Sequence, residues 1–192
     1  ALIAVWDSGV DTSLFPPEQL WRNEGEVPAN NRDDDKNGYI DDVHGIAWSL
    51  HWDSERRLLY PIGELADDTS ELERQSKGLS DIVAAVDSEE ASELRKKLSA
   101  LQQDKVEGFL ESLRIYGNYS HGTHVSGIAL AGNPFARLLT VRMTFGHTII
   151  PEKPTLELAL KEAEGLKASV DYMKAQGVRA VNMSWGGSLA GI

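Results

Sequence analysis

Ala1-Leu2-Ile3-Ala4-Val5-Trp6-Asp7-Ser8-Gly9 opens the chain: six apolar residues, then an acid, a serine and a glycine. A short unbroken apolar run closed by a turn signal marks a strand buried on both faces. Asp7 therefore stands at the carboxyl end of a core strand. Far downstream, Ser120-His121-Gly122-Thr123-His124-Val125-Ser126-Gly127 reads as a histidine opening a glycine-flanked helix, which continues through Ile128–Ala131 and stops near Gly132-Asn133-Pro134. Arg137–Phe145, with Leu138, Leu139, Val141 and Met143, reads as a second buried strand. Thr155, after Pro154, is positioned to cap a long helix lined by Leu156, Ala159, Ala163, Leu166, Val170 and Met173, with Gly177 as its stop. Val178–Met183 is a third strand running into Ser184-Trp185-Gly186-Gly187. This alternation predicts an α/β fold, a parallel sheet with helices on both faces. Ligands of such sheets bind beyond the carboxyl ends of the strands, where Asp7 and Ser184–Gly187 both fall.

Between the first strand and the His motif the composition changes twice. Phe15-Pro16-Pro17 imposes a turn, a polar loop runs to about Ala29, and Trp48, Trp52 and Tyr60 lie in a loop-like stretch ending at Pro61. Over 62–116 proline vanishes and Glu, Leu, Lys, Ala and Ser dominate, which predicts a helical insertion built as a helix hairpin. There Asp87 and Glu90 resemble a capping box, Leu94, Leu98 and Leu101 recur at helical spacing, and Glu93 and Lys97 form an i,i+4 pair. Such an insertion serves as a lid, an inhibitory segment or a docking arm, or simply as a packed spacer.

The 192 residues suffice for one domain, or one domain plus an insertion. The net charge of -11 argues against recognition of nucleic acid or an anionic membrane surface, and is compatible with cation binding or merely with solubility. The chain has no cysteine, so neither a disulfide framework nor a thiolate metal site can form. No apolar run approaches the roughly 18 residues of a membrane span. The opening segment is too short, and too poor in basic residues, for a signal peptide. A start directly on a core strand suggests a processed or trimmed domain.

Asp33-Asp34-Asp35-Lys36-Asn37-Gly38-Tyr39-Ile40-Asp41-Asp42 sets five carboxylates within ten residues. Aligned with an EF-hand-type loop, Asp33, Asp35 and Asn37 take positions one, three and five, Gly38 makes the turn and Tyr39 offers its carbonyl. The twelfth position is His44, so Asp41 or Asp42 must stand in for the usual glutamate. The expected metal set is Asp33, Asp35, Asn37, Tyr39 and Asp42, with calcium in a structural role. A solvated turn organised by Asn37-Gly38 is the alternative.

Taken together, Val5-Trp6-Asp7-Ser8-Gly9-Val10-Asp11, His121-Gly122-Thr123-His124-Val125-Ser126-Gly127 and Val181-Asn182-Met183-Ser184-Trp185-Gly186-Gly187 resemble, in order, motifs of the subtilisin-like serine proteases, the subtilases of peptidase family S8. The resemblance covers Ala1–Phe15 and roughly Asn118–Gly187. It implies that Asp7 fixes the tautomer of His121 and stabilises its imidazolium, and that His121 is the general base for a serine. It also implies that Ser184, Trp185 and Gly186 line a cleft where a peptide or protein substrate adds as a strand. Many relatives carry Leu in place of Trp185. Gly122 and Gly127 would let the His helix pack closely, and His124 would be a packed, hydrogen-bonded helix residue. Calcium-rigidified loops are common in the family.

No residue before Ile192 fits the nucleophilic serine. Ser188 follows the cleft segment too directly and Ser126 lies on the His helix. The family's oxyanion asparagine has no counterpart either. The resemblance thus implies the N-terminal part of a secreted, or periplasmic, serine endopeptidase domain that is inactive by itself. Its sheet would be incomplete and prone to self-association at an exposed edge. The alternative is a non-catalytic calcium-binding or interaction module on a subtilase-like scaffold.

Overall fold

The structure is a computed structural model, and it describes residues 1–63, 65 and 69–186. An apolar segment with no polar face must bury both of its sides, and Leu2–Asp7 does so as strand β1. Its neighbours, counted along the chain, are β2 (Gly45–Trp48), β3 (Ser54–Glu55), β4 (Arg137–Met143) and β5 (Ala180–Asn182). The sheet order is β3-β2-β4-β1-β5. Strand β1 runs parallel to both β4 and β5, and β4 parallel to β2; only β3 is antiparallel, as the return arm of a hairpin on β2. The sheet is open and mostly parallel.

Among the described residues four α-helices accompany it: α1 (Ser70–Val83), α2 (Glu89–Ala100), α3 (Gln103–Leu130) and α4 (Leu156–Ala175). Strand periodicity sorts the side chains between two faces. Ala4, Trp6, Leu139, Val141, Ile46 and Trp48 pack with Tyr172 and Met173 of α4. Val5 and Leu138 pack on the other face with Leu130, Val125 and Ala129 of α3. The register that pairs Asp7 with Arg142 sets both residues on the α3 side.

The chain divides into two compact units, one of residues Ala1–Tyr60, Tyr119–Phe145 and Lys153–Ile192, the other of Pro61–Asn118 and Gly146–Glu152. The first holds the sheet. The second contains α1, α2 and the beginning of α3, and the expected insertion over 62–116 lies inside it. Its first two helices meet at Gly78, where a Cβ would lie 2.5 Å from the Glu90 carbonyl oxygen. Lys77 braces the pair by bonding Asp81 at 2.9 Å and Glu90 at 3.0 Å.

Several boundaries differ from the sequence reading. His121 lies well inside a 28-residue helix and does not open one, because nothing between Gln103 and Ser120 breaks the helix. Trp48 belongs to β2, a strand too short to show a period. Gly45 starts that strand at φ 137, where a Cβ would fall 1.8 Å from the Thr140 carbonyl oxygen. The cap of α2 is Ser88, whose hydroxyl accepts from the Ala91 amide, one residue beyond Asp87. Thr155 caps α4 as expected, accepting from the Leu158 amide at 3.1 Å. The face that α4 buries carries Gly165, Ser169, Tyr172 and Met173, whereas Leu156 and Val170 are exposed.

That contrast yields a measurement. Leu139→Ala, which empties a fully buried site, is expected to lower stability by about 2–5 kcal/mol. Leu156→Ala, at a position 77% exposed, should stay within about 0.5 kcal/mol in denaturant titration.

Candidate active site and acidic loop

Strand β1 ends at the carboxyl edge of the sheet and leaves Asp7 there, 1% exposed. The chain then turns at Gly9, φ 128, where a Cβ would meet the Leu58 carbonyl oxygen at 2.6 Å and the Tyr60 nitrogen at 2.7 Å. Helix α3 crosses this turn at Gly122, where a Cβ would lie 2.2 Å from the Gly9 carbonyl oxygen. Thr123 adds a polar tie, its hydroxyl accepting from the Asp11 amide at 2.9 Å. Ser126 turns inward on the same helix and donates to the Gly122 carbonyl at 2.7 Å. Backbone-to-backbone approach of turn and helix thus precedes any side-chain contact.

This approach brings His121 Nδ1 to 2.7 Å from Asp7 Oδ1. The same oxygen accepts from the Ser8 amide at 2.7 Å and the Ser8 hydroxyl at 3.1 Å, while Oδ2 is buried without a hydrogen-bond partner among the described residues. A carboxylate can only accept, so Nδ1 carries the proton and the neutral ring keeps its lone pair on Nε2. The imidazole is 45% exposed, against almost complete burial of its partner. The hydrogen bond to Asp7 raises the His121 pKa above the ordinary histidine value; partial desolvation opposes this and the Asp7 charge adds to it. A buried acid holding a half-exposed imidazole fixes the ring and leaves Nε2 able to take up a proton. His124 is exposed, so it is not the packed residue expected, and Gly127 faces open space rather than a close neighbour.

Beyond β5, Ser184 donates to Asn182 Oδ1 at 2.8 Å. Trp185 turns back over β1: its Nε1 donates to the Trp6 carbonyl at 2.6 Å, and its ring meets Trp6 edge-on at 5.5 Å and Phe145 at 6.4 Å. The segment expected to line a cleft is thereby tied to the strand that delivers Asp7. Gly186 has no neighbour close to where a Cβ would stand. Gly187 and Ser188 lie outside the described residues.

The acidic stretch forms a tight loop with left-handed backbone at Ala29, Asn31, Lys36, Gly38 and Asp41. Asp33 accepts from the Asn37 amide at 3.0 Å and the Gly38 amide at 2.8 Å. Desolvation pushes the Asp33 carboxyl up, but the amides of Gly38, Asn37 and Lys36 overcome it and hold the group below its usual range. Asp35 and Asp42 approach one another and are joined by Glu26, carboxylate oxygens of all three lying within 4.8 Å. Glu26 and Asp42 are buried. Glu26 accepts from the Asp34, Asp35 and Asp41 amides, and Asp42 from Asn23, Asn37 and the Tyr172 hydroxyl. Tyr39 sends its ring against Tyr172 and Trp48. Glu26 was invisible to the spacing argument, since it sits in an unremarkable polar loop and reaches the cluster only through the fold.

The family model described as the subtilase family matches residues 1–191. The chain belongs to the subtilase family. The match extends over the 62–116 segment and the acidic loop, well beyond the motifs that carry the resemblance in sequence. No curated protein matches the chain. Within this subtilase chain, Asp7 and His121 are hydrogen-bonded to each other, and the acidic loop presents a group of three carboxylates able to hold a divalent ion.

Two tests address the pairing. The raised His121 pKa means that the Asp7–imidazolium interaction is fully present below the unfolded value of about 6.5 and is lost as pH rises through the higher folded value. In Asp7→Asn, the His121 titration followed by NMR should move down, and the associated fall of melting temperature with rising pH should flatten. Separately, Gly122→Ala should destabilise by roughly 1–3 kcal/mol through its clash with Gly9. Gly127→Ala, in open space on the same helix, should be neutral or gain about 0.5–1 kcal/mol.

Proposed function

We propose that this subtilase chain carries the base and its orienting acid of a serine endopeptidase that cleaves peptide bonds through an acyl-enzyme. The observation supporting this most directly is the 2.7 Å bond from His121 to the buried Asp7, made on the imidazole nitrogen that leaves Nε2 free. In this reading Nε2 takes the proton of a seryl hydroxyl and later returns it to the leaving amine, while Asp7 stabilises the imidazolium between those events. The 192 residues hold no Gly-Thr-Ser turn, so taken by themselves they would hydrolyse peptides at background rate. Ser184, Trp185 and Gly186 would border the bound peptide, with Trp185 anchored on Trp6. Secretion belongs to the same reading, as the family resemblance implies it.

The experiment is peptide hydrolysis, together with labelling by a serine-directed fluorophosphonate, in protein expressed from the whole reading frame. Asp7→Asn and His121→Ala are each expected to lower kcat by roughly 10³–10⁵-fold. Full activity in either variant would sink the assignment.

Calcium is the ion that best suits the acidic loop. Its donors are all hard carboxylate oxygens, two of the three groups are buried, and their mutual repulsion favours a divalent cation. Glu26, Asp35 and Asp42 would hold the ion, which would cross-link the loop and leave the chemistry to Asp7 and His121. At a hundredfold excess over Kd, calcium should stabilise the chain by about 2.7 kcal/mol in thermal unfolding. That gain should vanish in Asp42→Asn; an unchanged response there would exclude this site. The β5 edge, which exposes Val181 and Met183, is where self-association would occur.

A further inference from the structure

Arg142 is the largest fully buried side chain among the described residues, and nothing in the proposed proton transfer uses it. Burying a guanidinium is expensive unless its donors are satisfied; Nε is buried without a partner among the described residues, and the two Nη groups reveal what the side chain holds. Nη1 donates to the Leu59 carbonyl at 3.1 Å; Nη2 donates to the Trp48 carbonyl at 3.2 Å and to Glu55 of β3. All three acceptors belong to residues 48–60, the strap that leaves β2, turns through β3 and returns across the carboxyl edge of the sheet. The far end of the strap is fixed by Tyr60, whose hydroxyl donates to the Phe145 carbonyl at 2.7 Å.

This strap forms the floor under the turn that follows Asp7. Val10 donates its amide to the Leu58 carbonyl at 2.9 Å. A Cβ on Gly9 would meet Leu58, Tyr60 and, at 3.1 Å, Arg142 Cδ itself. Gly9 is in turn the surface on which Gly122 of the His helix rests. A continuous series of contacts therefore runs from the Arg142 guanidinium through Leu58–Tyr60 and Gly9 to the residue beside His121.

Resting on the dyad reading above, we propose that Arg142 is a positioning residue for the Asp7–His121 pair, acting through the Leu58–Tyr60 strap that fixes the Gly9 turn. It touches neither the reacting atoms nor His121. Its role is to keep Asp7 and the helix bearing His121 at hydrogen-bonding distance.

The test follows the His121 imidazole by NMR, which needs no catalytic turnover and so stands apart from the hydrolysis assay. In Arg142→Met, the Nδ1 proton held by Asp7 should exchange with solvent at least roughly tenfold faster, and the His121 titration should fall toward the ordinary value. Arg142→Lys, which keeps the charge and some donors, should recover part of both. Leu139→Ala is the control for general destabilisation and should leave both signals in place. If Arg142→Met does not fold, Glu55→Gln decides: the Val10 amide and the His121 Nδ1 proton should then exchange faster together, at least threefold. Unchanged His121 signals in the folded variant, or an equal change in Leu139→Ala, overturn the positioning role and leave the dyad reading intact. Absence of the Asp7-held proton in the unaltered chain would overturn both.

Discussion

The approach of two glycine backbones governs this site. Gly122 can rest on Gly9 only because Gly122 carries no side chain: a Cβ there would lie 2.2 Å from the Gly9 carbonyl oxygen, while a Cβ on Gly9 would strike Leu58 and Tyr60 on the other side of the turn. Sheet and helix supply the forces that press them together, through Val5 and Leu138 on one side and Val125, Ala129 and Leu130 on the other. Once backbone meets backbone, the 2.7 Å bond between Asp7 and His121 follows from geometry. The electrostatic properties of the pair are thus set by steric permission more than by local charge. The helix N-terminus contributes little, since its field fades within a turn and His121 is several turns away.

The two faces of the sheet divide the labour. The α4 face is aromatic: Trp6, Trp48, Tyr39, Trp52 and Tyr172 crowd there, and Trp52 lies against Gly165 where a Cβ would strike its ring at 2.4 Å. Tyr172 links this face to the acidic loop by donating to Asp42 at 2.6 Å, and burial together with that carboxylate pushes its own ionisation far upward. The α3 face carries the polar pairings, Asp7 with His121 and Arg142 with its strap. Dispersion and burial therefore fix the loop that gathers carboxylates, whereas hydrogen bonding fixes the turn that presents Asp7.

Much of this was legible in the order of residues. A run such as Leu2–Trp6 has no solvated alternative, and β1 and β4 fall where their apolar content demands. Thr155 and Gly177, the latter at φ 75, bracket α4 because capping chemistry is local. What escaped is what depends on distant partners. Strand β2 is four residues long and exists because β4 offers it an edge. The start of α3 was hidden because no residue before His121 forbids helix, so a motif inside the helix looked like its beginning. Glu26 and Arg142 gave no signal at all: a lone glutamate in a polar loop and an arginine at a strand end look exposed until the fold covers them.

The placement of His121 inside a continuous helix has a consequence for how such a chain can vary in length. Each helical residue advances the axis by about 1.5 Å and turns it by about 100°, so phase relative to Gly9 decides whether the imidazole faces Asp7. That phase is set at Gly122 and Thr123, at the point of contact. Residues added to or removed from the amino-terminal stretch of α3 shift only what precedes the contact, and His121 keeps its bearing. A single residue gained or lost between His121 and Thr123 would swing the ring away from Asp7 by more than a quarter turn. By helix geometry the segment ahead of the histidine can thus change in length without turning the ring, while the three residues at the contact cannot.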